Sequence, residues 1–178
     1  NLVNDMLNVS RIESGRFTLT MQPADLAQLI DSVHTEMLPK ATEQKINLVF
    51  ERPLQTLHNV NADPERVEQV LINLIGNSLK FTPVNGTIKI TLSYDATNRT
   101  ETVSVIDNGK GIEPEDIPKL FQKFAMVGTN YLVKQNAQGT GLGLYLSKAI
   151  IELMGGKIWV ESQGLGKGSK FSFTLKTV

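Results

Sequence analysis

The chain has 178 residues, no cysteine, and eighteen basic side chains balanced by eighteen acidic ones. That length suits one domain with one core, and a net charge of zero supplies no long-range field toward nucleic acid or a membrane surface. A disulfide framework and thiolate metal sites are excluded, and no apolar run approaches the ~20 residues that span a bilayer.

A hydrophobic content of 40% and a charged content of 20% are ordinary for a soluble globular protein. The chain opens on Asn1 rather than Met, already within helical periodicity and without a signal-peptide pattern, so it reads as a piece of a longer protein. The lack of cysteine is compatible with a reducing cytoplasm.

Leu2, Val3, Met6, Leu7, Val9 and Ile12 recur at near-heptad intervals and predict an amphipathic helix over 1–13, stopped by Gly15. Its apolar stripe calls for a partner helix that so short a chain does not obviously supply. Residues 17–21 alternate like a strand. Pro23-Ala24-Asp25 then starts a helix carrying Leu26, Leu29, Ile30, Val33 and Met37. Residues 46–51 and 57–61 read as short strands around Pro53. Asp63-Pro64-Glu65 opens another helix, with Asp as cap and Pro in the first turn.

Pro83 and Asn85-Gly86 turn the chain into a strand over 87–94, and 95–99 forms the hairpin loop to a returning strand over 100–107. Residues 114–121 predict a short helix, and 125–138, without clear period, a mobile loop. Helical periodicity resumes over 141–154 and ends at Gly155-Gly156. Strands over 157–161 and 170–176 flank a loop containing Gly164, Gly166 and Gly168. This mixture predicts a two-layer α/β sandwich.

Four segments carry candidate chemistry. The first is Asn73-Leu74-Ile75-Gly76-Asn77-Ser78-Leu79-Lys80-Phe81, in which Arg66, Asn73, Asn77 and Lys80 share one side of the helix. The apolar arc of Val67, Val70, Leu71, Leu74 and Ile75 is separate. Such a stripe is either a solvated face or a ligand set: amide oxygens suit a hard Mg²⁺ that keeps its waters, and a lysine supplies charge to phosphate. The second is Asp107-Asn108-Gly109-Lys110-Gly111-Ile112, after the apolar strand end at Val103-Ser104-Val105-Ile106. It is either a plain turn or a carboxylate that accepts from an exocyclic amine, with glycines admitting a flat ring. The third is Phe121-Gln122-Lys123-Phe124, whose aromatics could be core; Phe121 in particular is expected to pack that way. The fourth, Gly139-Thr140-Gly141-Leu142-Gly143-Leu144, precedes a helix whose N-terminus can receive phosphate. Its spacing matches neither the dinucleotide fingerprint nor a P-loop.

Taken in order, the four resemble the N, G1, F and G2 boxes of the sensor histidine kinases, a resemblance that covers essentially the whole chain. It implies a Bergerat-type sandwich, a mixed five-stranded sheet on three helices preceded by a short helix. Residues 17–178 would be the catalytic ATP-binding domain, and 1–16 the end of the second helix of a dimerisation and phosphoacceptor domain.

The resemblance further implies ATP and Mg²⁺ as ligands, with Asn77 on the metal and Asn73 and Lys80 on metal-bound water or phosphate. Asp107 would bind the adenine amino group, beside Gly109, Gly111 and Ile112. Phe124 would anchor one end of an ATP lid, and Gly139, Thr140, Gly141, Leu142, Gly143 and Leu144 its hinge. The implied reaction transfers the γ-phosphoryl group to a histidine on the absent domain, then to an aspartate of a response regulator. The implied location is cytoplasmic, in a parent that is homodimeric and anchored or not in the inner membrane, while the fragment itself is monomeric. The lone histidines, His34 and His58, sit in no His-Glu-x-x-Thr/Asn-Pro setting and are read as boundary residues.

Other readings share the fold. ATPases of the gyrase, MutL and heat-shock chaperone kind place a glutamate where this chain has Asn73, and an amide cannot take a proton from water. An anti-sigma-type protein-serine kinase is a closer competitor, against which the helix at Leu2–Gly15 argues, and the intact motifs argue against a degenerate docking module. One departure stands out: many relatives carry a basic residue where this chain has Met126. Lys123 or Lys134 could replace it, and Lys134→Ala is expected to slow transfer more than it weakens ATP affinity.

Overall fold

The computed structural model describes residues 2–125 and 139–178. In chain order the elements are α1 (Leu2–Glu13), β1 (Gln22–Ala24), α2 (Leu26–Glu43), β2 (Asn47–Glu51), β3 (Val60–Ala62), α3 (Pro64–Phe81), β4 (Thr87–Asp95) and β5 (Thr100–Asp107). A 3₁₀ turn (Ile117–Lys119), α4 (Gly143–Leu153), β6 (Lys157–Glu161) and β7 (Ser169–Lys176) follow.

Five strands form one mixed sheet in the order β2-β4-β5-β7-β6. Only the β2–β4 pair is parallel; the others are antiparallel. Register decides the faces. Ile88, Ile90 and Leu92 lie opposite Asp107, Val105 and Val103, which lie opposite Ser169, Phe171 and Phe173. Because side chains alternate, this whole set points to the buried side, where it meets Val67, Val70, Leu71, Leu74 and Ile75 of α3 and Ile150 and Ile151 of α4, all fully buried. The sandwich expected from the sequence is therefore present: a five-stranded sheet under α2, α3 and α4, with α1 outside it.

Local signals account for the helix starts. Asp25 caps α2, its Oδ1 accepting from the amides of Ala27 and Gln28. Asp63 caps α3 by accepting from the Arg66 amide and, through Oδ2, from the Thr20 amide at 2.8 Å. That second bond ties the segment before β1 to α3.

Several boundaries differ from the sequence reading. The strand expected at 17–21 is displaced to β1, which pairs with β3 in a separate two-stranded ribbon. Phe17 and Leu19 pack against the core, and Arg66 lies over the Phe17 ring at 4.9 Å. The strand expected at 57–61 begins at Val60, because the His58 amide donates to the Glu101 carboxylate at 2.7 Å. The short helix expected at 114–121 is one 3₁₀ turn, with Pro118 removing an amide donor. α4 starts at Gly143 and not at 141, since Gly141 holds φ +68°. Of the loop expected at 125–138, residues 126–138 lie outside the described residues.

The 1–13 helix does find a partner. Val9 and Ile12 pack with Leu142, Tyr145 and Leu146 at the start of α4, while Leu2, Met6 and Leu7 stay about half exposed. His34 has structural work, its Nε2 lying 3.0 Å from the Leu48 carbonyl. His58 stacks on Tyr94 with ring centres 4.1 Å apart.

Candidate nucleotide site

Burying one arc of α3 aims the stripe of Asn73, Asn77 and Lys80 at the start of α4 and the turn after β5. The packing is close: a Cβ at Gly143 would collide with the Asn73 side chain, so no larger residue fits without displacing that amide. Asn73 Nδ2 donates to Ser147 Oγ at 2.8 Å, linking α3 to α4. Asn77, one turn on, is half-buried. Lys80 reaches the glycine-rich turn, where a Cβ at Gly139 would stand 3.1 Å from its ammonium.

Asp107 ends β5 on the helix-facing side of the sheet and is buried. Its Oδ2 accepts from Ser169 Oγ at 2.6 Å and Ser78 Oγ at 3.2 Å, and its Oδ1 from the amides of Gly109 at 2.9 Å and Ser169 at 3.3 Å. Four donors from α3, the β5 turn and β7 thus hold one carboxylate in a single orientation. The next residues are braced from behind: Ser162 Oγ accepts from the Ile112 amide, and the Lys110 carbonyl from the Gly166 amide. Gly111, at φ +74°, lies so close to the Gly164 carbonyl that any side chain would strike it. On the open side, the Lys110 amide donates to the Phe81 carbonyl at 3.1 Å.

Phe81 itself is 40% exposed. Lys80 Nζ lies 5.3 Å and Lys110 Nζ 5.4 Å from its ring centre. Lys80 has a lowered pKa, from burial first and from the charge of Lys110 second. Among the described residues neither ammonium is in an ion pair. An exposed aromatic rimmed by two mutually repelling cations, near a buried carboxylate, is a surface suited to a flat base bearing anionic groups.

At the lid anchors, Phe121 packs edge-on to Phe171 with centroids 6.5 Å apart, as a core aromatic. Phe124 is exposed, holds φ +56°, and has its backbone against Gly141. Positive φ is costly for a bulky residue, so this end of the site carries backbone strain. Leu142 leads into α4 without a side-chain cap, which leaves orphan amides at that helix end. The Leu142 side chain is buried against Val9, and Thr140 Oγ1 donates to Asp5 at 3.1 Å. The hinge therefore faces α1 as well as the cleft. Leu144 packs on the main core.

Some expected participants lie elsewhere. Arg66 shares the helix stripe but serves Phe17 and Gln69. Lys123 pairs with Glu13 of α1 and sits over Tyr145. Met126 and Lys134 lie outside the described residues. A polar groove of ≈ 430 Å³ between α1 and the start of α3, lined by Asp5, Arg11 and Arg66, contains neither Asp107 nor Asn73, Asn77 and Lys80. Sequence reasoning assigned no role to Ser78, Ser147, Ser162, Ser169, Phe81 or Lys110. Ser78, Phe81 and Lys110 stand inside quoted motifs, whereas Ser169 is recognisable only from the β5–β7 register, which sets it opposite Asp107.

Asn77 is half-buried on the same helix stripe as Lys80, and an amide oxygen is a donor of the kind Mg²⁺ takes. Among the described residues no three His, Cys, Asp or Glu side chains cluster to hold a cation.

Comparison with known proteins agrees with this geometry. Residues 62–178 match the family described as histidine kinase-, DNA gyrase B-, and HSP90-like ATPase. The circadian input-output histidine kinase CikA of Synechococcus elongatus is 37% identical over 172 residues, covering 96% of this chain but 22% of that protein. The chain thus spans about a fifth of that relative's length. Full-length ShkA in complex with AMPPNP superposes with a TM-score of 0.85 at 30% identity, over 99% of this chain and 36% of that one. The nucleotide-free catalytic domain of histidine kinase ThkA does so with a TM-score of 0.76 at 34% identity, over 89% of this chain and 97% of that one. With the family's match covering about two thirds of its length, the chain belongs to the histidine kinase-, DNA gyrase B- and HSP90-like ATPases.

Proposed function

We propose that this chain is the catalytic domain of a sensor histidine kinase, binding ATP with Mg²⁺ and delivering the γ-phosphoryl group to a histidine on a phosphoacceptor domain. The observation that carries the reading is Asp107, a buried carboxylate oriented by four donors, one of them Ser78 of the helix that carries Asn73, Asn77 and Lys80. A carboxylate so placed accepts from the amino group of adenine when its longer bond to the Ser78 hydroxyl, at 3.2 Å, gives way, and Gly109, Gly111 and Ile112 shape the wall for the ring.

Phosphoryl transfer asks the protein mainly for positioning and charge neutralisation. Lys80 supplies charge to the phosphates, Asn77 holds the cation, and the uncapped start of α4 offers amides. When bound, the metal neutralises phosphate charge. Asn73 holds Ser147 across the cleft, and being an amide it provides no general base for water. That favours transfer to an imidazole over hydrolysis, as do the histidine kinases among the similar proteins.

On this reading 17–178 is the catalytic domain and α1 belongs to the phosphoacceptor helix pair. Its exposed Leu2, Met6 and Leu7 would complete a dimeric bundle in the parent, while the fragment alone is monomeric. A response-regulator receiver aspartate is the downstream acceptor, in the cytoplasm. No helix among the described residues is long and apolar enough to cross a membrane.

Calorimetric titration of ATP, with and without Mg²⁺, tests the site. Saturable binding that Mg²⁺ strengthens and Asp107→Asn abolishes is expected. Adding the parent's phosphoacceptor domain with radiolabelled ATP should then give an acid-labile, alkali-stable phosphoprotein. Release of inorganic phosphate without that product would replace the kinase reading by a hydrolase.

A further inference from the structure

We propose that Lys110 is a second polyphosphate-binding residue, acting with Lys80 across the Phe81 ring as a two-lysine anion clamp. This inference rests on the nucleotide reading above and assigns part of its specificity to a residue in the turn after Asp107.

Two ammonium groups that gain nothing from each other share one aromatic ring. Both lie within 5.4 Å of the centre of one ring, and the charge of Lys110 is among the causes that lower the Lys80 pKa. Surface lysines ordinarily spread apart or pair with carboxylates, as Lys89 does with Glu51 and Lys119 with Asp116. No acidic side chain pairs with Lys80 or Lys110 among the described residues.

Main-chain geometry fixes where the Lys110 side chain starts. Its amide is bonded to the Phe81 carbonyl and its carbonyl to the Gly166 amide, so the backbone cannot turn the side chain away without breaking both. An anion within reach of both ammoniums at the edge of the ring would convert their repulsion into two attractions. A triphosphate or diphosphate satisfies that arrangement; an uncharged nucleoside does not. The clamp also bears on the basic residue that Met126 replaces. Lys123 is drawn toward Glu13 and Tyr145, whereas Lys110 stands at the cleft.

The test titrates ATP, ADP and adenosine, without Mg²⁺, into the wild-type chain and into Lys110→Met and Lys110→Arg. Lys110 is exposed and bonded only through its backbone, so its substitution leaves the fold intact, which an unchanged thermal midpoint verifies. For Lys110→Met, ATP and ADP affinity should fall roughly tenfold, adenosine affinity should stay within about twofold, and the arginine variant should recover most of the loss. The Lys80 amine, followed by NMR, should titrate at higher pH once the neighbouring charge is gone.

An equal loss for adenosine and ATP would make Lys110 a base or ring contact and overturn the clamp. Unchanged ATP affinity would overturn it as well, with the nucleotide site still standing. A wild-type chain that binds none of the three ligands would remove the nucleotide reading itself.

Discussion

Strand β5 carries a buried carboxylate at each end of the same helix-facing side, Glu101 near its start and Asp107 at its finish, and their surroundings differ sharply. Asp107 accepts from two serine hydroxyls and two amides contributed by three parts of the chain. Glu101 accepts one amide bond, from His58, with the His58 ring at 3.8 Å, and its Oε2 has no partner. Desolvation raises the Glu101 pKa, with the His58 contacts opposing and Asp25 adding to the rise. Burial alone therefore does not mark a functional carboxylate. What distinguishes Asp107 is that four donors from three parts of the chain hold it, close to the exposed Phe81 and its two neighbouring ammonium groups.

Breaking the satisfied end should cost most. Asp107→Asn sets an amide donor against donors, and we expect urea unfolding to show a loss of about 3 kcal/mol along with loss of ATP binding. A variant as stable as the wild type would mean that the four bonds contribute little.

Next comes the contact that joins this end to α4. Gly143→Ala forces a methyl group into the Asn73 side chain and should cost about 2 kcal/mol by thermal denaturation. Combining it with Asn73→Ser should restore roughly half of that, a coupling a double-mutant cycle would read directly. Additive losses would place the clash elsewhere.

The poorly satisfied end should behave in the opposite sense. Since burial holds the folded pKa of Glu101 above the ordinary carboxylate value of 4.5, the folded state holds its proton more tightly than the unfolded chain. Stability then declines as pH rises from that ordinary value through the folded pKa, and is greatest below it. Glu101→Gln should flatten this decline and leave the protein at pH 7 as stable as the wild type, or more stable by about 1 kcal/mol. A steeper decline in the variant would refute the assignment. Smallest of all, Lys123→Ala removes an exposed pair with Glu13 and should change global stability by less than about 0.5 kcal/mol. Hydrogen exchange should nevertheless quicken in α1, whose apolar anchors among the described residues are Val9 and Ile12.

The site was legible to different depths for physical reasons. Asn73, Asn77 and Lys80 are spaced by turns of one helix, so a single periodicity places them together. Asp63 and Asp25 announce their helices by capping chemistry, which acts over three residues. Residues 17–21 misled because alternation reports extended backbone and not a pairing partner, and the ribbon forms only where β3 lies alongside. The 57–61 strand was shortened by a bond to Glu101, forty-three residues away in sequence.

By itself, then, the sequence determined the order of the elements, the polar stripe of α3, the carboxylate at the end of β5 and the glycine-rich turns, each an interaction among near neighbours along the chain. Tertiary structure decided the rest: Ser169 and Ser78 as donors to Asp107, Ser147 as the partner of Asn73, Lys110 and Lys80 around one ring, and α1 seated on the start of α4. Those contacts join residues that only sheet register and helix packing bring together. Distance along the chain carries no information about them until the core has closed.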